Sequence, residues 1–212
     1  MKGCKNIVFL LIIAFTILAT FIFKKVIWFI NENDLEVDLN LKKIDKKFIL
    51  LAYFIFISMF FYKYKFSIVF AFYYITIVYL IITAYIDFKT RYIYTIINVF
   101  FGISSFLFLM YLISINVDIR DSIEGIFLTV IISVLFSKLK VWNWGDTEMF
   151  IVIAPIIATG GSIYILFNFF ISMILSSIAA IITFFLKGFK MQSRQAFAPY
   201  IAFSSLIILF IK

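Results

Sequence analysis

Long apolar runs, separated by short clusters of charged residues, constrain this chain more than any other feature. Of its 212 residues, 65% are hydrophobic and only 14% are charged, too few charges to cover the surface of a soluble domain. A helix needs about 20 apolar residues to cross a bilayer, and runs near this length recur along the sequence. We therefore predict an all-α polytopic membrane protein with about eight transmembrane helices.

The boundaries of the predicted helices follow from the charges between the runs. The N-terminal run lacks a small-residue cleavage site before Lys24, so we expect it to stay as a helix. The charge-free run 149–186 is too long for one helix, and Gly160 and Gly161 are predicted to divide it. The predicted spans are residues 6–30, 48–62, 66–86, 92–117, 125–137, the two parts of 149–186, and 196–211.

Basic residues lie mainly on one side of the predicted membrane. With the N-terminus outside, eight crossings put thirteen Lys and Arg residues inside and six outside, as the positive-inside rule predicts. Membrane topology therefore accounts for the net charge of +8, and we predict no nucleic-acid partner. The same arrangement puts Asp87 and Asp146 at cytoplasmic ends of helices.

The residue types exclude several kinds of catalysis. The chain has no histidine and one cysteine, Cys4. A lone cysteine forms no internal disulfide and no zinc or redox pair, and the usual general base is absent without histidine. Ser-His and Cys-His catalysis is excluded, and we predict no metal and no cofactor. Acid–base chemistry must come from Asp, Glu, Lys or Tyr.

Asp87, Asp146 and Glu148 abut predicted spans directly, whereas the other acids lie in polar segments. An ionisable group near hydrocarbon costs about 2.5–3.5 kcal/mol on insertion scales and tends to serve function. Two carboxylates that share a site cannot both ionise cheaply, so one is protonated and one is charged. Such a pair can activate water for peptide hydrolysis. Alternatively, the aspartates are topology markers, or Asp87 forms a surface ion pair with Lys89 or Arg91.

Three segments carry these residues. Residues 84–87 read Ala-Tyr-Ile-Asp and precede Tyr92-Ile93-Tyr94, residues 143–149 contain Gly145 and Asp146, and residues 195–203 contain Pro199. In this order they resemble the three motifs of the type IV prepilin peptidases, the intramembrane aspartic peptidases that trim the leaders of pilin-like proteins. The resemblance covers residues 66–212.

Three positions depart from the family pattern. Tyr94 stands where a proline is expected, Asn143 replaces the first Gly of the Gly-x-Gly-Asp-x-Lys motif, and Glu148 replaces its Lys. An acid in place of that cation would change the local field around Asp146. If the segment is helical, however, Asp146 and Glu148 lie on different faces.

The resemblance implies the following organisation and roles. Residues 1–65 would form two N-terminal helices with a short charged cytoplasmic loop at 31–47, and residues 66–212 a six-helix peptidase core. Asp87 and Asp146 would be the catalytic pair, with Gly145, Glu148 and Pro199 as supporting motif residues. The loop lacks the paired cysteines of the family's methyltransferase-linked domain, so methylation of the product is unsupported.

The resemblance also implies a prepilin or pseudopilin substrate, cut at the cytoplasmic face of the cell membrane. The loop acids Glu32, Asp34, Glu36 and Asp38 would attract a basic leader over about 8–10 Å at ordinary salt. The alternative is a solvated loop balanced by its own lysines. Apolar and acidic residues alternate over 35–41, which predicts a short extended segment.

Two other classes of protein share part of this pattern. The presenilin and signal-peptide-peptidase type also pairs a Tyr-Asp with a Gly-Asp, but its Pro-Ala-Leu segment has no match at Ala198-Pro199-Tyr200. A non-enzymatic protein, such as a transporter, an assembly subunit or a degenerate peptidase relative, is the alternative from a different class.

Trp142 and Trp144 flank the second motif and are predicted to anchor it at the membrane interface.

Overall fold

The computed structural model describes residues 2–34, 39, 43–187 and 195–212. These residues form eight α-helices, one for each predicted span, and a 3₁₀ turn, Ala158–Gly160. The prediction of an all-α fold is therefore confirmed. The helices are α1 Lys2–Asn33, α2 Lys43–Tyr64, α3 Ile68–Thr90, α4 Thr95–Ser114, α5 Arg120–Lys138, α6 Trp144–Ile157, α7 Ile163–Lys187 and α8 Ala198–Ile211.

The helices are those of a multi-pass membrane protein. In the described parts of the chain, α1, α2, α3, α4 and α7 are long and apolar enough to cross a bilayer, and α8 is a shorter apolar helix. Large apolar side chains such as Phe100, Phe127 and Phe170 are mostly exposed. Exposed apolar side chains of this kind are suited to lipid contact.

Four helices are followed, within two residues of their ends, by a residue in the left-handed conformation. Lys65, Arg91, Asn116 and Lys140 have φ values of 53°, 60°, 57° and 59°. Three of the four are basic, and a cation at a helix C-terminus interacts favourably with the helix dipole. The charged clusters that separate the apolar runs therefore also end the helices.

By their internal contacts the residues divide into two compact units, Met1–Ile82 and Thr83–Lys212. The N-terminal unit is packed by aromatic rings. Phe15 of α1 contacts the rings of Phe61, Phe66, Phe70 and Tyr74 at centroid distances of 5.3–6.4 Å. The Tyr74 hydroxyl also donates to the Phe15 carbonyl at 3.0 Å. The predicted domain boundary between residues 65 and 66 stays a prediction.

In the C-terminal unit α6 is the central helix and packs against α4, α5, α7 and α8. Small and polar residues on α4 and α5 allow a close approach, as is common between membrane helices. On α5, Gly125 lies against Ala158, and a Cβ at Gly125 would overlap that side chain. The Ser105 hydroxyl of α4 donates to the Val152 carbonyl of α6 at 2.6 Å.

The break at the two glycines is confirmed. Gly160 ends the 3₁₀ turn after α6, and Gly161 follows with a φ of 124°, a conformation that favours glycine. The predicted extended segment over 35–41 lies outside the described residues except for Leu39. Leu39 is buried, and its N–H donates to the Asn31 side-chain oxygen at 3.0 Å.

Candidate active site

Asp87 lies on α3, one turn before the helix ends, and its side chain is only 4% exposed. Its Oδ2 accepts a hydrogen bond of 2.9 Å from the N–H of Ala198, the first residue of α8. The N–H of Phe197 also points to this carboxylate, and the positive charge of Arg91 is near enough to attract it. The first N–H groups of a helix have no partner within the helix. Asp87 of α3 therefore caps α8.

Asp146 lies in the first turn of α6 and is 3% exposed. Its Oδ2 accepts the N–H of Asn143 at 3.0 Å, as the acidic residue of a capping box does. Asn143 is the N-cap of α6, a position for which asparagine is well suited. The replacement of the family's first Gly by Asn143 is thus compatible with a well-formed helix start.

The structure brings Asp87 and Asp146 together within the C-terminal unit. The two carboxyl groups are near enough for the charge of Asp87 to act on Asp146, although 59 positions separate them in sequence (146 − 87). Each carboxylate also receives a backbone N–H from the start of a helix. The result is a buried pair of acids from α3 and α6, each held in place by main-chain donors.

Glu148 turns away from this pair. Its carboxylate accepts hydrogen bonds from Asn98 Nδ2 at 2.9 Å and from Thr95 Oγ1 at 3.4 Å, both on α4. Residues two apart on a helix do not face each other. The acid that stands where the family has a lysine is therefore bound to α4.

Gly145 lies where the chain leaves no room for a side chain. A Cβ at this position would lie 2.9 Å from the Cβ of Ile93, which is closer than side chains pack. Tyr94, which follows Ile93 in the sequence, is the N-cap of α4 and has a φ of −80°. This φ lies in the range that proline adopts. Tyr94 thus takes the backbone conformation expected of the family's proline.

Trp142 is buried, so the prediction that it anchors the motif at the membrane interface is wrong. The centroid of its ring lies 5.0–5.8 Å from the centroids of four phenylalanine rings. Its Nε1 donates to Thr147 Oγ1 at 3.0 Å. Trp144 is exposed, as an anchor requires. The four rings around Trp142 belong to Phe136, Phe150, Phe169 and Phe197.

A pocket of about 680 Å³ opens beside Asp146. Hydroxyl and amide side chains make up much of its wall, together with aromatic rings and the exposed Lys140. Neutral donors and acceptors beside flat apolar surfaces suit an extended peptide, whose backbone needs hydrogen bonds at regular intervals. The lining residues are Ser137, Lys140, Val141, Trp142, Asn143, Trp144, Asp146, Met173, Ser176, Ser177, Gln195 and Phe197.

The other predicted residues are distributed as follows. Pro199 is in the first turn of α8, where a missing N–H is tolerated, directly after the Ala198 N–H that Asp87 binds. Of the loop acids, Glu32 is exposed and Asp34 is half-buried in the N-terminal unit. Glu36 and Asp38 lie outside the described residues. The role of these acids in leader attraction stays a prediction.

The residues of α4 that hold Glu148 were not predicted from the sequence. Thr95, Asn98, Gly102 and Ser105 recur at helical spacing in an otherwise apolar run, and Asn98 and Ser105 bond to α6. A stripe of small and polar residues on an apolar helix marks a contact with another helix. That signal was available in the sequence, but only the structure identifies α6 as the partner.

Comparison with known proteins identifies the family to which the chain belongs. The family model described as the type IV leader peptidase family matches residues 74–185, which include both aspartates. Searches against curated proteins and against solved structures found no match. Because the matched segment covers just over half of the 212 residues, the chain belongs to the type IV leader peptidase family.

Proposed function

We propose that this protein is an intramembrane aspartic endopeptidase that removes the short basic leader of type IV prepilin-like proteins at the cytoplasmic face of the cell membrane. The observation that carries the proposal is the meeting of Asp87 and Asp146, both buried, within the segment that the family model matches. A pair of acids at one site provides a general base and a general acid without histidine.

We assign the charged role to Asp87 and the protonated role to Asp146. Two backbone N–H groups and the charge of Arg91 act on Asp87, and each of these favours a carboxylate over a carboxylic acid. Asp146 receives one backbone N–H and lies beside the negative charge of Asp87. Of the two, Asp146 therefore has fewer groups that favour its ionised form.

Hydrolysis then follows from these two protonation states. Asp87 takes one proton from a water molecule as the water oxygen attacks the scissile carbonyl carbon, and Asp146 gives its proton to the carbonyl oxygen. The resulting gem-diol returns one hydroxyl proton to Asp146 as the carbon–nitrogen bond breaks, and the proton held by Asp87 passes to the leaving nitrogen. Both carboxyl groups end in their starting states.

The pocket beside Asp146 is proposed to bind the leader side of the substrate. Ser176, Ser177 and Gln195 would bond to an extended backbone there, with Trp144 against its side chains. A cytoplasmic position for the site is supported by the distribution of Lys and Arg along the chain. The acids Glu32, Asp34, Glu36 and Asp38 remain the proposed attraction for the basic part of the leader.

The test is co-expression with a prepilin encoded by the same genome, followed by electrophoresis to detect the smaller, trimmed product. We expect the parent to trim the prepilin, and Asp87→Asn and Asp146→Asn to lose trimming by about 10²–10⁴-fold, the usual range for a general acid or base. Asp118→Asn is the matched control, because Asp118 is an exposed acid in the same unit.

All variants are compared at equal amounts of membrane-inserted protein. If the inserted parent trims none of the candidate prepilins, the protein is a degenerate peptidase or a non-enzymatic membrane component. If it trims and both asparagine variants trim equally well, the reaction does not use this pair of acids.

A further inference from the structure

Thr83 is a buried polar residue of α3 whose hydroxyl has no protein partner. Its side chain is 2% exposed, and its Oγ1 accepts and donates no hydrogen bond among the described residues. The two other threonines described in α3 behave differently. Thr76 Oγ1 donates to the Phe72 carbonyl at 2.8 Å, and Thr90 Oγ1 donates to the Ile86 carbonyl at 2.9 Å. Thr83 thus departs from the usual pattern of a helical threonine.

The position of Thr83 relates it to the candidate active site. It precedes Asp87 by four residues on the same helix, and residues four apart lie on one helix face about one turn, or ~6 Å, apart along the axis. Two polar groups at this spacing along a helix can be bridged by one small oxygen-containing group, such as a water molecule. The unpartnered hydroxyl therefore faces the same side of α3 as the proposed general base.

The second unpartnered hydroxyl of the described residues provides a comparison. Ser104 Oγ on α4 is also buried without a partner. One turn away on its helix in either direction are Phe100 and Phe108, which offer no polar group. Among the residues that the structure describes, only Thr83 combines an unpartnered buried hydroxyl with a carboxylate one turn away.

We propose that Thr83 and Asp87 together orient the water molecule that attacks the substrate, an inference that rests on the proposed peptidase function. One hydrogen of the water would point to the Asp87 carboxylate and the other to Thr83 Oγ1. With both hydrogens directed at α3, a lone pair of the water oxygen points away from α3, toward the scissile carbonyl. Asp87 receives the proton during attack, and Thr83 gains and loses none.

A purely structural role predicts a different outcome. Valine has the shape of threonine, and replacing an unpartnered buried hydroxyl with a methyl group is expected to leave the fold as stable or more stable. If Thr83 serves only packing, Thr83→Val is therefore harmless. If Thr83 orients the water, the same variant loses activity while its stability is kept.

The experiment measures kcat and KM of purified variants with the prepilin used in the co-expression test. We expect Thr83→Val to lower kcat about tenfold, the effect of one lost hydrogen bond in the transition state, with KM and thermal stability unchanged. Thr83→Ser keeps the hydroxyl and should retain most of the activity. Thr76→Val in the same helix and Ser104→Ala, which removes the other unpartnered hydroxyl, should both cleave at the parental rate.

A parental kcat in Thr83→Val, or an equal loss in Thr83→Ser, would overturn the role of Thr83. Asp87→Asn separates this failure from that of the proposed function, because it must inactivate a working peptidase whatever Thr83 does.

A second readout needs no substrate. The infrared carboxyl and carboxylate bands of Asp87, identified as the difference between the parent and Asp87→Asn, should shift in Thr83→Val and not in Thr76→Val. Unshifted bands would also overturn the proposal.

Discussion

Each of the two compact units contains an aromatic residue that touches four other rings. In the N-terminal unit this residue is Phe15, which is half-buried and whose side chain contacts its neighbours only through its ring, while its main-chain carbonyl accepts the Tyr74 hydroxyl. In the C-terminal unit it is Trp142, which is buried and also donates a hydrogen bond to Thr147. Thr147 in turn donates to the Ser133 carbonyl of α5 at 3.2 Å.

The difference shows how similar packing can have different consequences. The rings around Phe15 hold helices together by shape. The rings around Trp142 do the same, but the N–H of Trp142 fixes the first turn of α6, which carries Asp146. Aromatic packing in the C-terminal unit is therefore coupled to the position of a proposed catalytic residue.

Truncation of the two central aromatic residues tests this coupling most strongly. Trp142→Ala should destabilise the C-terminal unit by about 3–5 kcal/mol, since it opens a large cavity, and should abolish prepilin trimming. Phe15→Ala should also lower stability, but the molecules that remain folded should trim at the parental rate. Unfolding in detergent micelles and trimming per folded molecule are the two measurements.

Trp142→Phe separates the two contributions of the indole. It keeps an aromatic ring in the cluster and removes the N–H that Thr147 accepts. We expect a smaller stability loss than in Trp142→Ala and a clear loss of trimming. Full trimming by Trp142→Phe would mean that the cluster acts by packing alone, as it does around Phe15.

The close approach at Gly145 provides the next test. Gly145→Ala places a Cβ 2.9 Å from the Cβ of Ile93, and overpacking of this kind costs about 1–3 kcal/mol. We expect lower stability and at least tenfold slower trimming, because the first turn of α6 must shift. Gly102→Ala is the matched control, since its nearest neighbour would be Val152 Cγ1 at 3.5 Å, an ordinary contact. Equal trimming by both variants would contradict a tight α6 start.

One set of side-chain hydrogen bonds between helices in each unit provides a further comparison. In the C-terminal unit, Ser204 Oγ of α8 bonds to Asn168 Oδ1 and Ser172 Oγ of α7 at 2.5 Å and 2.6 Å. In the N-terminal unit, the Tyr53 hydroxyl reaches the Val78 carbonyl at a long 3.4 Å. Hydrogen bonds between membrane helices average about 0.6 kcal/mol and reach about 1.7.

We therefore expect Ser204→Ala to lower stability by about 1 kcal/mol, because it leaves Asn168 buried with fewer partners. Tyr53→Phe should change stability by no more than a few tenths of a kcal/mol, as expected for so long a bond. Both are measured by unfolding in the same detergent. A larger effect in Tyr53→Phe than in Ser204→Ala would contradict the expectation that the shorter hydrogen bonds contribute more to stability.

The sequence was sufficient to predict the helices. Apolar length determined all eight, and the absence of charge over 149–186 with two glycines at its centre determined the break before α7. The motif residues Asp87 and Asp146 could also be picked out from the sequence, because an acid beside a membrane span is costly and rare. These features depend on local composition, which a single chain displays directly.

The partners of the motif residues could not be predicted from the sequence. Nothing local to Asp87 indicates that it caps α8, 111 residues later. Trp142 illustrates the same limit: an isolated tryptophan near a span is typical of the interface, and only the folding of α5, α6, α7 and the start of α8 around it buries the ring. Contacts between distant segments depend on packing that no local pattern specifies.

Substitution of Glu148 is expected to have the smallest effect. Its carboxylate bonds to residues of α4, whereas Asp146, two residues earlier, lies beside Asp87. Glu148→Gln removes the charge but keeps an oxygen that can accept the Asn98 amide hydrogen. Since the side chain faces α4, we expect trimming within about threefold of the parent and little change in stability, as is usual for a substitution that retains its hydrogen bond. Trimming rates should keep the same dependence on pH, because the charge lost is directed away from Asp146. A displaced pH profile or a much larger change in rate would mean that Glu148 acts on Asp146 electrostatically, and that the acid at the family's lysine position tunes the reaction.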